Sequence, residues 1–380
     1  MSWRFAEGAA MDDQARVDSR AIVLTEIEAL GGAERSVLAL SRWLLQHNLP
    51  HHFVTYVDRA DLATHADHPI TVVQLQPELR ATKKVLALRN YFAARRGGPA
   101  PLMSGFQPAL HATLAGIRGF HCLMHDTPSL FSDANSRTAK QKVYRRLSDA
   151  IVSYGLRRGG RTIVTSEYLQ AECKRVFGVK ADIARMGGMS GAGAYHLRPA
   201  RGTLRMLSVS RIEANKRIDW MLRALATMER DALPLSRRID WRLDVAGRGA
   251  QMDAMRDLAE SLGIAGRVRF LGYVSDAELE RLYGEAHLFL MPAVQGYGIP
   301  AIEALTRGLP VLLHRESGVS DILLATPWAT VIEGGEEGML PGMRRGIDSV
   351  IAGAQMDAPL PALPTEDQWA ERVARLCGWV

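Results

Sequence analysis

At 380 residues the chain is longer than one hydrophobic core ordinarily fills, so two domains are the expectation. Its 47% hydrophobic and 23% charged residues are those of a globular protein, and no apolar run approaches the roughly 20 residues of a membrane-spanning helix. The net charge of +6 suits an acidic partner: a nucleic acid, an anionic membrane face or a phosphorylated small molecule.

Residues 1–19 are polar, contain Asp12, Asp13 and Asp18, and lack an apolar segment suited to a signal peptide; they read as a disordered leader. A short buried-type strand follows at 21–25. Gly31 and Gly32 then lead into a helix with Val37, Leu38, Leu40, Trp43 and Leu44 at helical spacing. Strands are expected at 52–57, 70–75, 102–103, 120–124 and 162–165. Between them lie basic helices at about 80–96 and 136–156, and a helix at 167–177. Such alternation implies a parallel sheet covered on both faces.

The pattern breaks at the glycine-rich run 186–193, the candidate linker, and restarts after Pro199. Strands are expected at 206–210, 241–246, 268–271, 289–292, 311–313 and 330–332. Helices are expected at 216–228, from 246 to 262, and after a capping box at Ser275–Glu278. An amphipathic helix with Trp369, Val373 and Leu376 on one side closes the chain. Cys122, Cys173 and Cys377 are far apart, which argues against a disulfide framework or a zinc site and fits a reducing cytosol.

The stretch 289–305 organises the rest. A strand ends at Pro292, a turn runs from Gln295 through Gly296, Tyr297 and Gly298 to Ile299, and Pro300 suits the first residue of a helix that carries Glu303. A helix N-terminus after a glycine turn offers N–H groups and a positive dipole end to a phosphate. Arg211 and Lys216 sit in a loop after the strand 206–210, where two cations can stabilise a departing diphosphate; the bland reading, a solvated loop, is assigned to Arg217. Gly31 and Gly32 permit close backbone approach to a diphosphate or simply form a strand-to-helix turn. His125 and Asp126 end a strand, where open α/β sheets place ligand contacts, although a lone His is more often structural. Ser166 reads as a helix N-cap. Gly247–Gly249 is too short for a dinucleotide fingerprint.

These motifs resemble those of retaining glycosyltransferases of family four. The donor-site signature there reads roughly Pro-Ser-x-x-Glu-Gly-Phe-Gly-Leu-Pro-x-x-Glu-Ala. Here the second Glu is Glu303, and the first is replaced by Gln295, which keeps hydrogen-bonding reach and loses the charge. Gly-Gly-Ala-Glu-Arg at 31–35 and Arg-Ile-x-x-x-Lys at 211–216 are similar to the family's loops, and 317–321 matches loosely, with Asp321 where Glu is usual.

The resemblance implies an α/β GT-B fold: two Rossmann-like, doubly wound domains facing a cleft. On this reading 20–187 is the acceptor domain, 188–202 the linker, 203–362 the donor domain and 363–380 a helix packing back on the first domain. It implies transfer of a hexose from a nucleotide-diphospho-sugar to a hydroxyl of a sugar or lipid-linked acceptor, with retention and without metal or other cofactor. Arg211 and Lys216 would hold the diphosphate with Gly32 and residues 296–299, Glu303 the ribose, and Gln295 and His125 the sugar. The two basic helices read either as solvated faces or as a contact for an anionic membrane surface, placing the protein in the cytoplasm or peripherally on the inner membrane face. No aromatic interleaving suggests nucleic acid. The alternatives are a non-catalytic nucleotide-binding protein of the same fold, a GT-B epimerase or phosphorylase, and a nicotinamide oxidoreductase.

Overall fold

A computed structural model of the chain describes residues 18–28, 30–75, 80–128, 138–187, 199–200, 202–230, 240–324 and 326–380. Most of the expected leader and most of the glycine-rich linker lie outside these residues. Ser19, assigned to the leader, is buried and shares a 2.8 Å hydrogen bond with His52 Nδ1, so order begins by that point. The chain divides into two compact units, Met1–Gly187 with Pro364–Val380, and Gly188–Leu363.

Unit one contains β1 (Arg20–Val23), β2 (Glu26–Ile27), β3 (His51–Thr55), β4 (Val57–Asp58), β5 (Val72–Gln74), β6 (Leu102–Ser104), β7 (His121–Met124), β8 (Thr162–Val164) and β9 (Asp182–Ile183). Its helices are α1 (Gly32–Gln46), α2 (Ala81–Ala93), α3 (Phe106–Leu114), α4 (Ala139–Arg157) and α5 (Glu167–Phe177). Seven strands form one parallel sheet in the order β5-β3-β1-β6-β7-β8-β9, while β2 and β4 pair separately. Every residue of β6, β7 and β8 is buried, as expected of central strands covered by helices on both faces. Ser166 caps α5 by accepting the Leu169 N–H.

Unit two contains β10 (Thr203–Val209), β11 (Asp240–Ala246), β12 (Val268–Gly272), β13 (Leu288–Met291), β14 (Val311–His314) and β15 (Ala329–Ile332). The helices are α6 (Ile218–Arg230), α7 (Met252–Ser261), α8 (Asp276–Glu285), α9 (Ile299–Thr306) and α10 (Met339–Ala352). The strand order β12-β11-β10-β13-β14-β15, all parallel, is that of a doubly wound Rossmann-like sheet. The last helix, α11 (Glu366–Leu376), belongs to unit one. Thr365 caps it, and it buries Trp369, Ala370, Val373 and Ala374 against α1. Burying a side chain of valine size contributes about 1.5–3 kcal/mol, and Trp369 covers more area still. Arg42 of α1 adds a 2.6 Å ion pair to Glu366.

Several local expectations are corrected. Helices α3 and α10 were not anticipated. In α10, Gly342 and Gly346 dilute the helical pattern; a Cβ on them would lie 2.5 Å from Ile332 Cγ1 and 3.0 Å from Leu312 Cδ1, so the glycines let the helix sit directly on the sheet. The sequence places Tyr144, Leu147 and Ile151 opposite the basic residues of α4 as its apolar side; Tyr144 and Leu147 are instead exposed, together with Val143 and Tyr154. The buried stripe is Ser148, Val152, Gly155 and Leu156, because α4 meets α3 through Gly155, whose absent Cβ is replaced by Thr113. The Ser275 capping box is half-formed: Ser275 accepts the Glu278 N–H, but the Glu278 carboxylate turns to Arg281. Lys216 does not open a helix. It ends a 3-10 turn, Arg217 takes a left-handed φ of 54°, and α6 starts at Ile218. Pro300 is the second helical residue, after Ile299.

Candidate active site in unit two

The winding of the second sheet reverses between β10 and β13, and in open α/β sheets ligands bind outside the strand ends at such a reversal. The loops that follow these strands, 210–217 and 292–298, carry most of the residues singled out by sequence. Glycine chemistry holds the first loop in place. Gly247 has φ +133°, and a Cβ there would sit 1.8 Å from the Ser210 carbonyl oxygen; a Cβ on Gly249 would sit 2.2 Å from the Ile212 oxygen. The glycines that resemble a dinucleotide turn thus serve close packing. Ile212 N–H donates to Arg248 O and Gln251 N–H to Ile212 O, which closes the contact.

The two loops are laced together. Val294 N–H donates to Asn215 O at 2.8 Å, and Asn215 Nδ2 donates to Val294 O at 3.1 Å. Lys216 Nζ donates to Gln295 Oε1 at 2.9 Å. Arg217 is not a solvated cation, contrary to the sequence reading. Its side chain is 13% exposed, stacks 4.2 Å over the Trp220 ring, pairs with Glu316 and reaches the Pro292 carbonyl. Arg217 has a left-handed backbone and an enclosed side chain, whereas Arg211 lies outward. Arg211 is 71% exposed, with Glu213 3.0 Å away, and is available to an incoming anion.

The turn itself is buried. Gly296, Tyr297 and Gly298 have little exposure, and Gly298 adopts φ +130°, where a side chain would be strained. Pro300 has no N–H and Ala301 N–H is engaged by Gly298 O, so Gly298 and Ile299 supply the donors that this end of α9 presents. One turn inside, Glu303 is half-buried and accepts from the Tyr283 hydroxyl at 3.2 Å. Burial, reinforced by the Glu303 carboxylate, raises the Tyr283 phenol well above its ordinary range, so it stays a donor and fixes the carboxylate. Arg307 donates to the Glu303 carbonyl and pairs with Glu280, anchoring the far end of α9. Asp321 lies in the 3-10 turn Gly318–Ile322 beside this loop.

In unit one, Gly31 caps α1 and Gly32 opens it, both exposed. The Glu34 carboxylate accepts the Gly31 N–H at 3.0 Å, so an anion approaching this end must displace it. His125 follows β7, is half-buried, and bonds Ser104 Oγ at the end of β6 through Nε2 at 3.0 Å. Burial depresses its imidazolium, against the opposing pull of Asp126, to a pKa of about 4, so at neutral pH it is an uncharged ring. Asp126 itself is exposed. Sequence reasoning missed Tyr283 and Glu316, and gave no role to Asn215 and Ser317, which lie inside the runs 211–216 and 317–321 that it singled out. Their roles depend on which loops the sheet order makes adjacent, and that is visible only once β10 and β13 are known to be neighbours.

Residues 198–336 match the family model for glycosyl transferases group 1. Over 292 residues the chain is 25% identical to the GDP-mannose-dependent alpha-(1-6)-phosphatidylinositol monomannoside mannosyltransferase of Mycobacterium tuberculosis, covering 70% of this chain and 69% of that one. It is 32% identical over 119 residues to an uncharacterized glycosyltransferase of Methanocaldococcus jannaschii and 31% identical over 119 residues to the O-antigen chain mannosyltransferase B of Escherichia coli. These two matches span 31% of this chain and only 29% and 30% of those relatives. Among solved structures, Anabaena HepE in complex with UDP and glucose superposes with a TM-score of 0.70 at 14% identity, over 95% of this chain and 100% of that one. WaaG, a glycosyltransferase involved in lipopolysaccharide biosynthesis, superposes with a TM-score of 0.65 at 17% identity, over 94% and 99%. At such identities the likeness is one of fold, and the fold is GT-B. The matched segment contains Arg211, Lys216, Gln295 and Glu303 together.

Proposed function

We propose that the chain is a retaining, metal-independent hexosyltransferase that moves a hexose from a nucleotide-diphospho-sugar to an acceptor hydroxyl in glycoconjugate synthesis. The observation that carries this reading is the lacing of the Arg211–Lys216 loop to the Gln295 turn at the sheet reversal, with Glu303 one turn inside the adjoining helix. Arg211 and Lys216 hold the diphosphate and offset the charge that grows on it as the glycosidic bond breaks, with the Gly298 and Ile299 N–H groups assisting. Glu303, oriented by Tyr283, accepts hydrogen bonds from the ribose hydroxyls. Gln295 meets the sugar. In unit one, His125 is neutral and held by Ser104.

In the step itself the bond from the anomeric carbon to the diphosphate oxygen breaks, and the acceptor oxygen bonds to that carbon on the same face. The acceptor proton passes to the departing phosphate oxygen, which leaves as nucleoside diphosphate. The named donor of the mycobacterial relative and the ligands in the HepE structure support a nucleotide sugar of this class.

We assign the acceptor to the sugar or lipid-linked class and place the protein in the cytoplasm, peripherally on the inner membrane face. On α4, exposed Val143, Leu147 and Tyr154 form a stripe flanked by Lys140, Lys142, Arg146 and Arg158, and Asp149 is the one acidic residue of the helix. Each basic residue near an anionic surface contributes roughly 1 kcal/mol, and the apolar stripe adds burial. Among the described residues no helix is long and apolar enough to cross a membrane.

The test is a thermal-shift panel of nucleoside diphosphates on wild type and Arg211→Ala, followed by an assay of nucleoside diphosphate release. A shift for one base, lost in the variant, and release that depends on an added acceptor are the expected results. Absence of any shift at millimolar nucleotide contradicts the reading, and release without acceptor points to another reaction type.

A further inference from the structure

Gln295 is where the chain departs from the donor-site pattern, and its surroundings are built for an amide. Its Oε1 accepts from Lys216 Nζ at 2.9 Å; its Nε2 donates to Ser317 Oγ at 3.3 Å and lies 2.9 Å from Met291 Sδ. Ser317 is fully buried, and its single hydroxyl hydrogen goes to the Tyr297 carbonyl oxygen at 3.0 Å. Toward position 295 that hydroxyl therefore presents only lone pairs. Lys216 is a donor without a lone pair, so the two partners together require an acceptor on one side and a donor on the other. That requirement fixes the orientation of the amide. A carboxylate at 295 would accept from Lys216 but turn its second oxygen toward the Met291 sulfur, which has no proton, and toward the Ser317 hydroxyl, which could donate to it only by giving up the Tyr297 carbonyl. The backbone is pinned as well: Gln295 N–H donates to Glu316 O and Gly318 N–H to Gln295 O, both at 3.1 Å. The amide is thus a matched part of the site, with a donor and an acceptor each placed to meet it.

We infer that this neutral group selects a donor whose sugar carries a negative charge: a nucleoside-diphospho-hexuronate in preference to the neutral hexose. The inference rests on the donor-site reading above. With a carboxylate at 295, a uronate would meet a like charge, and two charges about 4 Å apart in a half-buried site repel enough to change affinity more than tenfold. With the amide that repulsion is absent, and the Lys216 ammonium, half-buried beside it, attracts the sugar carboxylate.

The test is calorimetry on the full chain with matched probes: UDP-glucuronate against UDP-glucose, GDP-mannuronate against GDP-mannose, and UDP and GDP alone as references. For the base that binds, the uronate is expected to bind about tenfold or more tightly than the neutral sugar. Gln295→Glu is expected to reverse that preference, and UDP and GDP titrated on the same variant report separately any loss at the diphosphate, because Lys216 bonds residue 295. Because a carboxylate facing the Ser317 hydroxyl is itself a risk to folding of that variant, Gln295→Glu combined with Ser317→Ala removes the clash; the Tyr297 oxygen keeps its bond from Val319 N–H, and the same reversal is expected. Equal or tighter binding of the neutral sugar by wild type, with bare diphosphate binding intact, overturns this inference and leaves the donor site standing. Failure of both diphosphates to bind overturns the two together.

Discussion

Gly247→Ala tests whether the packing of two turns sets the geometry of the donor site. The substitution places a Cβ 1.8 Å from the Ser210 carbonyl oxygen and 2.8 Å from its carbon, both backbone atoms that no rotamer change can move aside. The residue also has φ +133°, where an L side chain is strained. Strain of that kind costs about 1–3 kcal/mol, and forcing one extra carbon into a packed contact costs about 1–3 kcal/mol more. The sum, about 2–6 kcal/mol, lowers the melting temperature by roughly 5 °C or more for a unit of this size. The displaced atom belongs to the residue before Arg211, so nucleotide affinity falls together with stability. Gly266→Ala is the control, because its Cβ meets nothing within 4 Å and its φ is not in the left-handed range; its melting temperature is expected to hold or rise slightly. Differential scanning calorimetry and a nucleotide titration on both variants decide the matter. Gly247→Ala with wild-type melting and wild-type affinity would refute the packing argument.

Arg217→Ala removes an ion pair, a ring contact and a bond to Pro292 O from a side chain that is largely enclosed, so it is expected to destabilise unit two by about 1–3 kcal/mol. Arg217→Lys recovers little, because an ammonium lacks the planar fork; denaturant melts of both variants check this. His125 supplies a pH signature. Its folded pKa of about 4 lies below the ordinary 6.5, so the unfolded state binds more protons between those values. Stability is therefore lost as pH falls from 6.5 to 4, by at most about 3 kcal/mol from this group. The difference in stability between wild type and His125→Asn, followed across that window, should show the slope, and a flat difference contradicts a ring held neutral in the fold.

The alternation of apolar strands and helices was sufficient to read two Rossmann-like halves, because central parallel strands are apolar on both faces and announce themselves as short runs such as 121–124 and 311–314. The strand–glycine turn–helix order around Gln295 and Glu303 was equally legible, since glycine and proline state the backbone geometry directly. Helix α10 was not, because its glycines serve contact with Ile332 and Leu312 rather than local propensity. Arg217 was misread for a related reason. Arg217 takes a left-handed backbone and packs over Trp220, and nothing in a run of polar residues shows that. The exposed stripe on α4 escaped notice because the buried face runs through Ser148, Val152 and Gly155, small or polar positions that do not stand out as apolar spacing. Ser317 and Asn215 could not be placed without the strand order, as each acts on a loop about 20 or 80 residues away.

The measurement that bears most directly on the account is release of nucleoside diphosphate from a nucleotide sugar, followed with and without acceptor, for wild type and Lys216→Ala. The account predicts release that requires acceptor, proceeds in the presence of a chelator, yields a product of retained anomeric configuration, and falls by about two orders of magnitude or more in the variant. Undiminished release by Lys216→Ala, or a product of inverted configuration, would contradict it.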